Sequence, residues 1–353
     1  MYKPSPFLAP LLFVPGLIFE TVIRVRNLTY SAGLRSARSL TRPVISVGNL
    51  TLGGSGKTPL VIYVAQTLRN LGHTPAVLSR GYARRSLAIS HVLPPGEEVP
   101  SPACVLGDEP ALMRRRVPEI WLGISPDRYA IGREILVRCP GVIFVLDDGF
   151  QRRRLRRDHD IVIIDRTQPL LRNHLFPRGS LREPLSGLCR AHAVVLNGTP
   201  ETSDSNSIEK AIREISPRIR IFHCIQRIVS LMPFAIWNAR ESGNVSSVQC
   251  TTAWLAAALG NPARFLKDVE DLGIRVAGSR FFRDHHRLTR KDWHRCIESA
   301  RRCNAEAVII TEKDAIKIVE PPDFPLLVAV QSTLIDQPGE FEQMLREAVG
   351  DAQ

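Results

Sequence analysis

None of the seven cysteines has another three positions away. With no Cys-x-x-Cys pair, and with an odd, widely spaced set, neither a structural zinc site nor a disulfide framework is expected, and a reducing compartment suits the chain. Aromatic residues are scarce at 6%. They are not interleaved with basic residues as in a single-strand-binding platform, so nucleic acid is not an expected partner. No apolar run reaches the roughly 18 residues of a spanning helix. No small-residue cleavage site follows a basic start, which argues against a secretory signal. No segment repeats. Acidic residues are outnumbered, 35 against 47 Lys and Arg, leaving a formal charge of +12. That deficit favours anionic partners: nucleic acid, an anionic membrane face or a phosphorylated substrate. Charge alone does not choose among them. At 353 residues and 44% apolar content, the chain folds and is long enough for two domains.

What is present centres on residues 44–59. Val44 to Gly48 read as a short apolar strand. Gly53, Gly54, Ser55 and Gly56 follow as a turn, and Lys57-Thr58 opens a helix. Small residues let backbone N–H groups curl around an anion, and the helix start adds partial positive charge. Lys57 reaches outer phosphates and the Thr58 hydroxyl can hold Mg²⁺. Thr51 stands where the generic pattern has its first glycine. A flexible turn before a capped helix would look similar but gives no reason for the lysine.

Strand, helix and strand then alternate with continuous apolar strands, the pattern of a parallel sheet covered on both faces. Helices are expected over 58–71, from Gly107 to Met113 and over 127–137, and strands over 75–79, 120–124, 142–147, 161–165 and 193–197. The run ending at Asp147-Asp148-Gly149 places two carboxylates at a strand C-terminus, where a parallel sheet opens its ligand crevice. Either could serve the Mg²⁺ of a nucleotide. Arginines 152, 153, 154, 156 and 157 lie beside them, and residues 170–184 read as a loop over the crevice. Residues 198–209 read as polar turn and 221–225 as a short strand. Gly243–Ser247 reads as a hairpin or domain connection. Beyond about 250 a smaller unit begins, with Thr289 as a helix cap, a strand at 307–311 and a closing helix from about 338. Phe7 to Leu28 is apolar with basic flanks, which suits a helix lying in an anionic bilayer surface. Asp108 and His285 are candidate proton acceptors for a hydroxyl acceptor, although a lone Asp is more often a cap and a lone His a satisfied bystander.

Several short motifs occur together and in order: Ser46 to Thr51 running into Gly53–Pro59, Ser79-Arg80-Gly81-Tyr82, Gly107-Asp108-Glu109-Pro110, Asp147 to Gln151, Leu181-Arg182-Glu183-Pro184, Gly260-Asn261-Pro262, Asp284-His285 and Thr311 to Ala315. In these the chain resembles the tetraacyldisaccharide 4'-kinases of lipid A biosynthesis along nearly its whole length. The resemblance accounts for Thr51. It implies an α/β protein: a P-loop NTPase-like α/β/α sandwich with a second, smaller α/β domain and an N-terminal membrane-associated helix. It implies transfer of the ATP γ-phosphate, with Mg²⁺, to the 4'-hydroxyl of an acylated glucosamine disaccharide 1-phosphate, at the cytoplasmic face of the bacterial inner membrane.

By position, the resemblance makes Asp108, His285 and Lys57 catalytic. Thr51, Gly53, Gly54, Ser55, Gly56, Lys57 and Thr58 bind nucleotide. Thr58, Asp147, Asp148 and Glu109 serve the metal, and Asn49, Arg80, Gln151, Arg182 and Glu183 the acceptor. Arg152 departs from it, because many relatives have His there. The expected organisation is 1–42 as the membrane segment, 43–225 as the kinase core, 226–249 as a connection and 250–353 as the smaller domain, its last helix returning to the core. A monomer is expected. The residues by themselves leave two alternatives: a P-loop kinase or NTPase for another anion, and a nucleotide-switched nucleic-acid or membrane-binding module.

Overall fold

The structure is a computed structural model that describes residues 11–82, 84, 90–168, 170–171, 173–198, 204–239 and 248–350. The chain begins with α1 (Phe13–Ser31) and enters the sheet at β1 (Val44–Asn49), followed by α2 (Lys57–Asn70), β2 (Thr74–Ser79) and β3 (His91–Leu93). Next come α3 (Pro102–Val105), α4 (Asp108–Arg116), β4 (Trp121–Ile124), α5 (Arg128–Arg138), β5 (Val142–Asp147), β6 (His159–Asp165) and β7 (Ala193–Asn197). Then follow α6 (Asp204–Ile215), β8 (Arg220–Pro233), α7 (Phe234–Ala239), β9 (Thr252–Ala258), α8 (Pro262–Glu270) and β10 (Arg275–Phe282). The chain closes with α9 (Arg290–Arg302), β11 (Ala307–Thr311), α10 (Glu312–Ala315), β12 (Leu326–Ile335) and α11 (Pro338–Val349).

Among the described residues, twelve strands form one sheet in the order β10-β9-β11-β12-β8-β7-β6-β1-β5-β2-β4-β3. Pairing is parallel except between β8 and β12 and between β3 and β4. The continuous apolar strands are buried on both faces. On β6, Ile161 and Ile163 pack towards α2, whereas Val162 and Ile164 pack towards Ile208 and Ile212 of α6. In the other half, Val308 and Ile310 meet α9 through Trp293 and Cys296, and Ile309 meets α8 through Phe265. The last helix lies against the first core: Phe341 packs edge-on to Tyr63 and to Phe222.

Local chemistry explains the element starts. Asp127 caps α5, and Asn261 caps α8 with Pro262 in its first turn. Thr289 and Asp292 form a reciprocal capping box on α9. Two readings change. Residues 198–209 were expected to be turn, but Asp204–Ile215 is a helix whose apolar stripe is narrow. The short strand expected at 221–225 is the first part of a 14-residue strand. Its parallel pairing to β7 ends at Cys224, and its antiparallel pairing to β12 runs from there to Pro233. β8 therefore passes from one half of the sheet into the other, through residues expected to begin a connecting segment. Gly243–Ser247 lies outside the described residues. Among the described residues, no helix is long and apolar enough to cross a membrane.

Candidate active site

The residues that follow the strand C-termini of both halves face one cleft of about 980 Å³. From the first half come Gly53–Thr58 after β1, Arg80 after β2 and Asp147 at the end of β5. The second half contributes Gly260 after β9, His285 after β10 and Lys313 after β11. This is where a parallel sheet collects its chemistry.

The glycine-rich loop is held from below by three side-chain amides. Asn49 Nδ2 donates to the Thr51 carbonyl (2.7 Å) and to Ser55 Oγ (2.8 Å). Asn197 Nδ2 donates to the Ser55 carbonyl and Gln226 Nε2 to the Gly56 carbonyl, both at 3.1 Å. With those carbonyls tied down, the loop's N–H groups are left for an anion. Gly56 has φ +89°, in the left-handed region, and a Cβ there would collide with the Gln226 and Asn197 side chains. Beside Gly53 and Gly54 there is open space. Such a cradle fits phosphate oxygens. Thr51 itself is buried and paired with Leu181 through the backbone, so it shapes the loop and does not line the cleft.

Lys57 lies 3.7 Å from Asp148. Burial pulls its ammonium below the ordinary lysine range, with Asp148 opposing. Asp148 accepts two hydrogen bonds from Arg182 Nη1, at 2.7 and 2.9 Å. Burial would raise its carboxyl, but Lys57 and Arg182 outweigh that and hold it below the usual carboxylate range. Asp147 is the opposite case: burial, reinforced by Asp148, pushes it up to about 6. Its Oδ2 accepts from Ser79 Oγ at 2.8 Å. A buried, destabilised carboxylate that lines the same cleft as Thr58 is a hard oxygen donor that suits a divalent cation. Glu109 fits that role less well, because its Oε1 is already 2.9 Å from Lys313 Nζ.

On the other wall, His285 Nδ1 is 3.1 Å from Asp108 Oδ2, across 177 positions of sequence. Asp108 is 2% exposed and lies behind the ring, while His285 lines the cleft. His285 is held at φ +66° and packs edge-on against Tyr82. Lys313 Nζ bonds Asp284 Oδ1 at 2.9 Å and sits 3.4 Å from His285 Nε2. Burial would lower the Lys313 ammonium, but Glu109 and Asp284 more than compensate and hold it above its ordinary value.

Arg80, Gln151, Arg182 and Arg152 line the cleft. Asn49 and Glu183 do not. Both are fully buried, and Glu183 binds Arg190 Nη2 at 2.6 Å and Gln151 Nε2 at 2.8 Å. Arg152 has Arg80 and Asp148 as charged neighbours, and burial is the main cause of its lowered pKa. The sequence reading gave no role to Lys313, Ser79, Asn197 or Gln226. Lys313 carried a usable signal: like Asp147, it follows an apolar strand that ends in polar residues.

A phosphate-cradling loop with its lysine, strand-end carboxylates and an Asp–His pair facing one cleft define a P-loop phosphotransferase. The family profile of tetraacyldisaccharide-1-P 4'-kinases matches residues 8–350. A tetraacyldisaccharide 4'-kinase of Syntrophus aciditrophicus is 34% identical over 98% of this chain and 94% of its own. One of Anaeromyxobacter dehalogenans is 35% identical over 90% of this chain and 84% of its own. A crystal structure of LpxK from Aquifex aeolicus in complex with ATP matches with a TM-score of 0.73 at 27% identity, covering 97% of this chain and 100% of that one. The chain belongs to the tetraacyldisaccharide-1-P 4'-kinase family, and it is a kinase.

Proposed function

We propose that this chain transfers the γ-phosphate of ATP to the 4'-hydroxyl of tetraacyldisaccharide 1-phosphate, giving lipid IVA, while seated on the anionic cytoplasmic face of the inner membrane. The family supports the acceptor. The observation that carries the residue-level reading is the Asp108–His285 contact, opposite the glycine-rich loop in one cleft. Lys57 and the loop amides bind the ATP phosphates. Thr58 and Asp147 would hold Mg²⁺, with Asp148 beside them, and the ion would supply positive charge to the phosphate oxygens. Arg182 fixes Asp148 and stands at the acceptor side. His285, with Nδ1 directed at Asp108, keeps Nε2 towards the cleft. The pair takes the acceptor hydroxyl proton, and Asp108 stabilises the charge that develops on the ring. α1 exposes Leu17, Ile18, Val22 and Val25, a face suited to lipid.

The test is phosphotransfer from labelled ATP to the acceptor in detergent micelles. Lys57→Ala is expected to abolish the labelled lipid. Asp108→Ala should lower kcat by about 10²–10⁴-fold, the usual range for a lost general base, with ATP affinity within about threefold. An equal collapse of ATP binding would remove Asp108 from the catalytic pair.

A further inference from the structure

Behind the Asp108–His285 pair, on the side away from the cleft, lies a buried cation. Lys317 follows α10, and its side chain is 3% exposed. It does not line the active cleft but borders a smaller cavity of about 300 Å³. Its ammonium has three neighbours, one carbonyl to which it donates and two carboxylates that pair with its charge. Asp314 Oδ1 is at 2.9 Å, the His286 carbonyl accepts at 2.9 Å, and Asp108 Oδ2 lies at 3.8 Å.

Each contact constrains something different. Asp314 is held on its other side: its side chain is fully buried, and its Oδ2 accepts from the Ala258 N–H at 3.1 Å and from Thr311 Oγ1 at 2.7 Å. It therefore anchors Lys317 to the ends of β9 and β11. The His286 carbonyl belongs to the residue after His285, in a segment where His285 holds a left-handed backbone. Asp108 comes from α4 in the other half of the sheet. One ammonium thus faces the carboxylate of the pair across 3.8 Å and hydrogen-bonds the backbone next to its imidazole.

We propose that Lys317 is a positioning residue for phosphoryl transfer: it sets the placement of Asp108 against His285 and ties both to the frame of the second half. The inference rests on the reading of Asp108 and His285 as the base. Lys317 touches neither phosphate nor acceptor. Its removal therefore acts on the rate of the chemical step and leaves nucleotide binding alone. A misplacement of about 1 Å at such a pair is enough for a large rate loss.

The experiment measures kcat and KM for ATP and for the lipid acceptor, with Tm, on the full chain. Lys317→Met alone would leave the buried Asp314 carboxylate without a counter-charge, so it is combined with Asp314→Asn, whose amide oxygen can still accept from Ala258 and Thr311. The paired variant is expected to lower kcat about 10–100-fold, with KM for ATP within about threefold. Asp314→Asn alone keeps Lys317 beside Asp108 and the His286 carbonyl but removes its anchor, and should cost less in kcat than the paired variant. Introduced into Asp108→Asn, the paired change should cost much less than in the parent, because the carboxylate that it positions is gone. An unchanged kcat in the paired variant would overturn the proposal. So would an undiminished loss in the Asp108→Asn background, which would assign Lys317 to the fold alone. If Asp108→Asn itself kept full kcat, the base reading would fall first, and this inference with it. Lys317→Gln with Asp314→Asn offers the same test should the methionine variant not fold.

Discussion

At the scale of single residues, the two neighbouring aspartates divide one environment into two roles. Asp148 is stabilised as an anion by Lys57 and Arg182, while Asp147 is raised to about 6, mainly by burial and then by Asp148. The raised group has a linkage consequence. Between its ordinary value of 3.8 and about 6 the folded state binds the proton more tightly than the unfolded chain does. Stability from this group is therefore full below the ordinary value and is lost as pH rises through about 6. In metal-free, nucleotide-free protein, Asp147→Asn should be more stable than the parent above about pH 7, by roughly 2–3 kcal/mol, since each tenfold change in proton affinity is worth about 1.36 kcal/mol. The gap should close towards pH 4. Urea unfolding across that range measures it, and a gap independent of pH would reject the assignment. The same substitution should depress phosphotransfer, since an amide is a poor partner for a hard cation. Two adjacent carboxylates at a strand end were legible in the sequence. Their opposite behaviour was not, because it depends on Lys57 and Arg182 arriving at Asp148 from other parts of the chain.

At the scale of elements, the glycine-rich loop is built by β1, β7 and β8 together. Gly56 is the tightest point, where a left-handed φ and the Gln226 and Asn197 amides leave no room for a Cβ. Gly56→Ala should weaken ATP binding at least tenfold by turning the loop amides away from the phosphates, and should leave kcat at saturating ATP less affected. Isothermal titration with ATP separates this from general unfolding; unchanged affinity would mean that the loop geometry is not what selects glycine. The loop was readable from sequence because its signal is local: strand, small residues, lysine, helix. β8 was not read to its full length because its second half pairs antiparallel with β12 and is half exposed. Arg227 and Val229 face outward there, on either side of buried Ile228, and the continuous apolar run of a parallel core strand is lost. α6 was missed for a related reason. Ile208 and Ile212 bury a single stripe, with Ile215 partly buried at its end, and most of the other residues of the helix are polar. The Asp108–His285 contact left no periodic trace either, since it joins α4 to the turn after β10; only the resemblance brought the two residues together before the fold did.

At the scale of the whole molecule, the apolar face of α1 and the active cleft belong to one continuous structure. The guanidinium of Arg178 sits 4.8 Å from the centre of the Phe13 ring, and Gly16 gives it room. Phe19 packs edge-on against Phe176 at 5.8 Å, and Arg153 donates to the Asn27 carbonyl at 2.8 Å. The segment that carries Phe176 and Arg178 continues to Arg182, whose N–H donates to the Leu50 carbonyl at the start of the glycine-rich loop (2.7 Å). A lipid acceptor held by α1, as proposed, would lie near the chain that supports Asp148. The net charge of +12 adds attraction to anionic lipid. Replacing Ile18 and Val22, both exposed, by aspartate should remove binding to vesicles of anionic phospholipid and leave ATP affinity unchanged. Parent binding should itself weaken as salt rises to ~0.5 M, because the electrostatic part is screened and the apolar part is not. With the acceptor in vesicles the double aspartate variant should lose most of its activity. With the acceptor in detergent micelles, where it need not be found on a bilayer, activity should largely return. Equal loss in both would mean that α1 acts on the cleft itself, through residues 176–182, and not by holding the enzyme at the surface.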